Sequence, residues 1–437
     1  MDKGIEMICI GDELLDGRTR EGNAAWLGGR LRALGHALER VTLVADEPAL
    51  VAAVVREAAA RSALVVTSGG LGPTLDDRTR AALADAAGVA VREDAAALER
   101  LEEKYRARGR EMAPANARQA AFPANATVLP SDVGTADAFA TPVAGVDVIS
   151  LPGVPREFTA LAERYVLPRL AAARPRRWRK LYTFGKGESA LAGIVEALAL
   201  DPRLRITWSA HLPIVDIELS CDHEDAGGLD EASFEAQVAR AREALRPWAF
   251  ETDTRRVNGA LAAALAHANA RVATVESCTG GLIARELTDV PGASAWFDRG
   301  WITYSNEAKA REVGVPVALL ERHGAVSAEV AAAMATGARA RAGVTLAVSS
   351  TGIAGPTGGS AAKPVGTVYL AAAMETGTVV VHAHIAGRSR DAFRTIVAEL
   401  AQLIALRCLQ GAADDLRALE GVVSLQRIPA ATIVEQG

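Results

Sequence analysis

Apolar positions along the first 170 residues follow two alternating rhythms. Short, mainly apolar runs at Ile5–Ile10, Val41–Val44, Leu64–Thr67 and Val146–Leu151 read as strands, the first of them buried. Between them, apolar side chains recur at three- and four-residue spacing over Ala24–Leu34, Pro48–Ala60 and Glu93–Arg110. That is the spacing of a helix with one buried stripe, marked in the last case by Leu98, Leu101 and Tyr105. The punctuation agrees: Asn23 is placed to cap the first helix, Gly35 to end it, and Asp46 to open the second. Strands alternating with helices predict an α/β domain with a doubly wound parallel sheet.

The rhythm changes after residue 173. A basic run, Arg174 to Lys180, reads as a boundary or linker that could also meet an acidic partner. Strand runs at Leu181–Phe184, Leu204–Trp208 and Ile214–Ser220, with helical runs at Ser189–Leu198 and Ala232–Leu245, predict a small β-α-β-β-α module over 174–254. No catalytic residue types cluster in it, so it reads as a spacer or assembly domain. A third α/β domain is expected over 255–415. Its paired strands are Val365–Ala373 and Val379–Ile385, its helix Ala328–Arg341 is capped by Ser327, and Ser389–Leu409 closes it. Residues 416–437 lack periodicity and read as a partly loose tail.

Composition narrows the function classes. The chain has 437 residues, enough for two or three cores, and only 4% are aromatic, which suits Ala-rich helix–sheet packing. Its net charge of −5 gives no general attraction to nucleic acid. The four cysteines, Cys9, Cys221, Cys278 and Cys408, match no metal-finger or CxxC spacing. With no secretory leader and no apolar run long enough to cross a bilayer, a cytoplasmic protein with no membrane contact is expected.

Two constellations carry chemistry. The first is Glu276-Ser277-Cys278-Thr279-Gly280-Gly281-Leu282, a strand-to-helix turn with paired glycines. Backbone N–H groups at Thr279, Gly280 and Gly281 can face an anion there, either a phosphate or an oxyanion. Twenty-seven residues after Ser277 comes Tyr304-Ser305-Asn306-Glu307-Ala308-Lys309. A serine beside a lysine is an arrangement that makes a hydroxyl nucleophilic without histidine. The neighbouring Cys278 is the competing nucleophile. The second constellation is Gly69-Gly70-Leu71-Gly72-Pro73-Thr74-Leu75-Asp76-Asp77, after the third strand. Gly69, Gly70, Gly72 and Thr74 would cradle a phosphate, while Asp76 and Asp77 offer hard oxygen ligands to a divalent cation such as Mg²⁺. Asp12 and Glu13, after the first strand, would join them.

These segments resemble a known family. IGDELLDG, SGGLGPTLDDRT and LPGVPREF are similar to the N-terminal domain of the CinA (competence/damage-inducible) proteins, a domain of the MogA/MoaB molybdopterin-binding type. ESCTGG, YSNEAK, GAVS and STGIAGPTGG resemble the CinA C-terminal domain, and the middle module is similar to the KH-like spacer of longer members. The resemblance implies conversion of nicotinamide mononucleotide to nicotinate mononucleotide and ammonia by the C-terminal domain, with no metal required. It also implies a metal-dependent ADP-ribose pyrophosphatase in the N-terminal domain, and a homodimer. A competence protein contacting a RecA-like partner, or molybdopterin binding with adenylyl transfer, are the other readings it raises. One loop departs from the family: Gly134-Thr135-Ala136-Asp137-Ala138-Phe139 stands where GTAPGF is usual, which brings a carboxylate toward the N-terminal phosphate site.

Amide hydrolysis then assigns roles. Ser277 is the expected nucleophile and Lys309, with a lowered pKa, its base. Tyr304 would relay the proton or orient Lys309. Thr351 and Gly352 would touch ribose or phosphate, and Arg390 would pair with the phosphate.

Overall fold

The computed structural model describes residues 4–170 and 176–429, which form two compact units meeting in sequence at Arg176 and Arg177. The first unit is built on a six-stranded sheet in the order Leu38–Val44, Ile5–Ile10, Leu64–Ser68, Val146–Leu151, Ala138–Val143, Thr127–Leu129. The first four are mutually parallel and the last two join antiparallel. The mainly apolar run of the first strand is explained by two cores. Ile8 and Ile10 pack with Val55, Val65 and Leu83 on one face, while Met7 and Cys9 pack with Leu27, Val66 and Phe158 on the other. Burying each such side chain contributes about 1.5–3 kcal/mol, so a one-residue slip of register would be strongly disfavoured.

Two of the helix-start readings are corrected. The helix Asn23–Ala33 is capped by Glu21, whose carboxylate accepts from the N–H groups of Asn23 and Ala24. Asn23 is buried and its amide is used elsewhere. The helix Pro48–Arg61 has Glu47 at its cap position, which releases Asp46 to face Asp12.

The second unit holds two sheets. The first, in the order Arg205–His211, Ile214–Cys221, Arg177–Phe184, Ala249–Phe250, is wholly antiparallel, with the helices Glu188–Ala197 and Glu231–Leu245 packed on it. The basic run is therefore strand and not linker from Arg177 onward; Arg174 and Pro175 lie outside the described residues. Two of its arginines meet carboxylates of the same chain: Arg177 pairs with Glu231 at 2.8 Å and Arg179 with Glu235. The second sheet runs Phe297–Ile302, Val272–Glu276, Leu346–Gly352, Thr367–Met374, Gly377–His384, Val422–Pro429, the first three parallel.

The two sheets share a core. Tyr182, Phe184 and Phe250 of the small module pack with Leu261, Val368 and Leu403 of the larger one. Polar ties reinforce the joint, with Trp248 Nε1 donating to the Ala418 carbonyl at 3.0 Å and Arg255 meeting Asp216 at 2.8 Å. The module is thus an integral layer of this unit, which corrects the spacer reading. The tail is corrected as well. Val422–Pro429 supplies the sixth strand, with Leu425 opposite Val381, and only 430–437 lie outside the described residues. Among the described residues no helix is long and apolar enough to cross a membrane.

Candidate functional sites

The C-terminal site forms where three parallel strands end. Hydrogen bonds continue one step past the strands, from Ser277 N–H to the Ser350 carbonyl at 3.0 Å and from Thr303 N–H to the Glu276 carbonyl at 2.8 Å. Ser277 therefore leaves the sheet on a rigid backbone. Gly280 and Gly281 then turn the chain at φ of 60° and 93°, a left-handed region that side-chain-bearing residues rarely enter. The helix Leu282–Thr288 comes directly after.

Ser277 Oγ lies 3.2 Å from Lys309 Nζ. Lys309 comes from the helix Asn306–Val313, which Ser305 caps through the Ala308 N–H. Its side chain is only 1% exposed, and burial holds its amine below the ordinary lysine value. The amine donates to the carbonyls of Thr303 at 2.8 Å and Tyr304 at 3.2 Å. A neutral amine has two N–H bonds and one lone pair. In that form the two carbonyls would take the two protons and leave the lone pair for the Ser277 hydroxyl; the charged amine donates to all three oxygens. That is the geometry of a base and its nucleophile.

The other assignments shift. Tyr304 orients Lys309 through its backbone carbonyl and not its ring. The phenol is 3.0 Å from Arg390, which also donates to the Gly355 carbonyl, so no phenol relay to Lys309 is formed. Cys278 is buried and its thiol is pushed up to about 12 by that burial, which removes the thiolate a cysteine nucleophile needs. Thr279 is fully buried with its hydroxyl 2.7 Å from Ser350 Oγ, and Thr351 donates its hydroxyl to the Ala325 carbonyl at 2.7 Å. Both side chains therefore tie loops together and do not face a ligand. Gly352 is the last residue of its strand, and a Cβ there would lie 2.9 Å from the Thr367 carbonyl, so close packing accounts for it.

Glu276, which sequence reasoning passed over, organises the turn. It is fully buried and accepts from the N–H groups of Gly281, Ile283 and Ala284 at 3.0, 3.1 and 2.8 Å. The Gly280 N–H is bonded to the Ser277 carbonyl. The anion donors expected at Thr279 to Gly281 thus move one residue back. Among the described residues, the N–H groups of Cys278 and Thr279 have no backbone acceptor. Arg394 was missed too; it grips the Thr279 carbonyl through Nε and a terminal nitrogen at 3.2 and 2.7 Å. A carboxylate before a Gly-Gly turn, and an arginine one helical turn after Arg390, were the available signals.

The N-terminal site is a cleft of roughly 540 Å³ at the carboxyl ends of the first unit's strands. Gly69, Gly70, Gly72, Asp76 and Asp77 line it with Glu13, Asp46, Gln119, Thr135 and Glu157. A Cβ on Gly69 would sit 2.1 Å from the Ile10 carbonyl, so only glycine lets these two strand ends approach. Asn23 joins them to a third loop, donating to Ser68 Oγ at 3.0 Å and to the Gly153 carbonyl at 2.9 Å. Thr79 closes the glycine loop by donating to the Gly69 carbonyl at 2.9 Å.

Asp76 and Asp77 take different jobs. Asp77 folds the loop, accepting from the Gly72 N–H at 2.7 Å, the Thr74 N–H at 2.8 Å and the Thr74 hydroxyl. Asp76 is exposed at the cleft. Across from it, Asp12 and Asp46 each accept from the other's backbone N–H, at 3.3 and 3.0 Å. Asp46 is held above the usual carboxylate range by burial and by the nearby charges of Asp12, Glu13 and Asp76. The carboxylates that line the cleft include Glu13, Asp46, Asp76 and Asp77, hard oxygen donors of the kind a divalent cation takes, while Asp12 and Thr74 are not among its lining residues. Among the described residues no three such side chains form a closed cage. Asp137, the loop's departure from the family, is not among the residues that line the cleft. Asp137 is buried against Arg100 at 2.9 Å and Lys104 at 3.0 Å and anchors its loop from behind.

A doubly wound domain with a glycine-loop cleft, followed by an α/β domain with a buried Ser–Lys pair, defines a bipartite class of protein. Comparison with known proteins gives the class its family. Residues 6–172 match the family model described as probable molybdopterin binding domain, and residues 254–409 match the CinA C-terminal domain. A CinA-like protein of Geobacter sp. (strain M21) is 40% identical across 90% of this chain and 94% of its own. One of Geobacter sulfurreducens is 42% identical across 90% and 96%. The solved CinA of Thermoplasma acidophilum is 36% identical and covers 39% of this chain and 99% of its own, with a TM-score of 0.36. The chain belongs to the CinA family.

Proposed function

We propose that the C-terminal site hydrolyses the amide of nicotinamide mononucleotide to nicotinate mononucleotide and ammonia. The observation that carries this reading is the Lys309 amine, buried, with two carbonyl partners and Ser277 Oγ at 3.2 Å. Ser277 Oγ would attack the amide carbon while its proton passes to Lys309. The N–H groups of Cys278 and Thr279 would receive the developing oxyanion. Lys309 would return the proton to the departing ammonia, leaving an acyl ester on Ser277. A water, deprotonated by Lys309, would then release the nicotinate. Arg390, reaching the site's edge through Tyr304, suits the substrate phosphate. No step calls for a metal. Ammonia release measured with nicotinamide mononucleotide on the whole protein tests the reading, and an intact fold with no turnover would refute it.

For the N-terminal cleft we infer a metal-dependent pyrophosphatase acting on ADP-ribose. Asp76 and Asp46 would hold the cation together with the substrate's own phosphate oxygens, and the cation when bound would neutralise the pyrophosphate charge. The glycine-loop backbone would position the phosphates, and Asp77 would keep that loop in shape. Incubation with ADP-ribose and Mg²⁺, against molybdopterin and ATP, separates this from adenylyl transfer. A homodimer is part of the proposal and is tested by sedimentation. The basic segment lends no support to a RecA-like partner, since Arg177 and Arg179 are already paired within the chain.

A further inference from the structure

The cleft of the first unit is chemically two-sided. The glycine loop leaves the strand Leu64–Ser68 in the middle of the sheet. Asp12 and Asp46 come after the strands Ile5–Ile10 and Leu38–Val44 on one flank. Gln119, Thr135 and Glu157 line the cleft on the other, beside the strands Val146–Leu151 and Ala138–Val143. That second flank contains an unmet demand. Gln119 is 3% exposed, its Oε1 accepts from the Thr135 hydroxyl at 3.2 Å, and its Nε2 has no partner. A buried amide N–H without an acceptor is costly and rare, and this one belongs to a residue lining a cavity.

Glu157 lines the same flank, in the first turn of the helix Pro155–Tyr165, and lies at Gly134 next to the Thr135 that Gln119 holds. Its half-buried carboxylate lies over Gly134, where a Cβ would fall 2.0 Å from Oε1. Burial holds it above the ordinary glutamate value, opposed by Lys104 and Arg108. The wall behind is stiff because Asp137 pins the loop to Arg100 and Lys104, and Lys104 also reaches the Thr135 carbonyl at 3.4 Å.

A carboxylate beside a free amide donor repels a phosphate and suits neutral hydroxyls, which donate to the first and accept from the second. We propose that the Gln119–Glu157 flank is a sugar subsite, with Glu157 accepting from a ribose diol and Gln119 turning its buried, unpartnered Nε2 to the cleft to donate to one of the diol oxygens. This rests on the pyrophosphatase reading for the identity of the nucleotide, although the diol chemistry stands apart from turnover.

The test is calorimetric titration of the full chain with ADP-ribose, together with steady-state cleavage in Mg²⁺. Glu157→Gln is nearly isosteric and Gln119→Met deletes the orphan donor. Each should weaken ADP-ribose binding about tenfold or more and raise KM with kcat little changed, the mark of a binding contact. An ADP-ribose analogue lacking ribose hydroxyls should bind the Glu157→Gln variant and the parent alike. Titration with ADP tells which ribose is held: the penalty persists if it is the adenosine ribose and vanishes if it is the terminal one. Unchanged ADP-ribose affinity in both variants would overturn the subsite, as would no binding to the parent, or a fall in kcat at constant KM in Glu157→Gln. If the parent binds without cleaving and the variants bind more weakly, the subsite stands while the pyrophosphatase reading falls.

Discussion

Lys309→Met separates the structural from the chemical work of one amine. The substitution keeps most of the stem volume and deletes the nitrogen. The carbonyls of Thr303 and Tyr304 then lose the donor now 2.8 and 3.2 Å away. Each buried acceptor left unpaired costs about 1–3 kcal/mol, so the fold should lose roughly 2–5 kcal/mol, less where the carbonyls regain water. Catalysis should fall much further, by on the order of 10³ or more in kcat, equivalent to about 4 kcal/mol of barrier. Ser277→Ala, by contrast, leaves both carbonyl bonds in place. It should change stability by less than about 0.5 kcal/mol while losing as much activity. The double variant should be little worse than either single one, because groups acting as one unit are not additive. Cys278→Ala should cost far less, its thiol being protonated at working pH. The assay is ammonia release under saturating nicotinamide mononucleotide, with urea unfolding run in parallel. Only the neutral amine can act as base, so kcat should rise with pH through a pKa below the ordinary lysine value and level off above it. Turnover by Ser277→Ala, or activity that rises as pH falls, would sink the Ser–Lys assignment.

Glu276→Ala strips the acceptor from three backbone N–H groups and should cost about 3–6 kcal/mol in urea unfolding, whereas Glu276→Gln, keeping one acceptor oxygen, should cost about half. Asp76→Asn should abolish ADP-ribose cleavage without moving the melting temperature, while Asp77→Asn should lower both; neither, nor EDTA, should change ammonia release. Equal melting of the two variants would contradict the loop role of Asp77. Glu286, buried beside Glu399 and paired with Arg256, has its pKa raised to about 7 chiefly by burial, above the ordinary carboxyl value of 4.5. The folded chain thus holds a proton the unfolded chain releases, so this group's contribution is full below 4.5 and is lost as pH rises to about 7. Glu286→Gln should flatten that decline in a pH series of melting curves.

The elements that could be read from sequence were those in which one local signal and one burial pattern agree. Ile5–Ile10 has apolar residues at every position except Glu6 because the sheet has a core on each face. Ser327 and Ser389 cap the helices they were expected to cap, since capping needs only a short polar side chain and a free N–H. Asn23 and Asp46 have the same local signature, yet tertiary partners displace the cap: Ser68 and Gly153 for the one, Asp12 for the other. The last strand was missed because Val422–Pro429 alternates weakly and sits at a sheet edge, so its pairing partner defines it more than its own pattern. The Ser277–Lys309 pair was legible as two motifs at a distance. The jobs of Thr279, Thr351 and Asp77 were not, because a hydroxyl or carboxylate in a motif has the same letter whether it faces a ligand or ties a loop.

Both sites take their position from one construction. At each, hydrogen bonding between neighbouring strands runs one residue beyond the strand, through Gly69 N–H to the Leu151 carbonyl in the first unit and Ser277 N–H to the Ser350 carbonyl in the second. The loop therefore starts from a backbone whose direction is set by the sheet, and chemistry within a residue or two of that point inherits its precision. The two loops then differ in how they place charge. Glu276 buries a carboxylate inside its turn and occupies the helix N-terminal donors, so the anion donors that remain are those beside Ser277. The glycine loop of the first unit leaves Asp76 outside and commits Asp77 to its own fold, so on the proposed reading a cation would complete its anion binding. Under the proposed functions, one turn would stabilise charge that develops during reaction and the other would hold charge already present on the substrate. On the proposed functions, that difference predicts that EDTA would stop turnover at the first unit's site and leave the second unit's untouched.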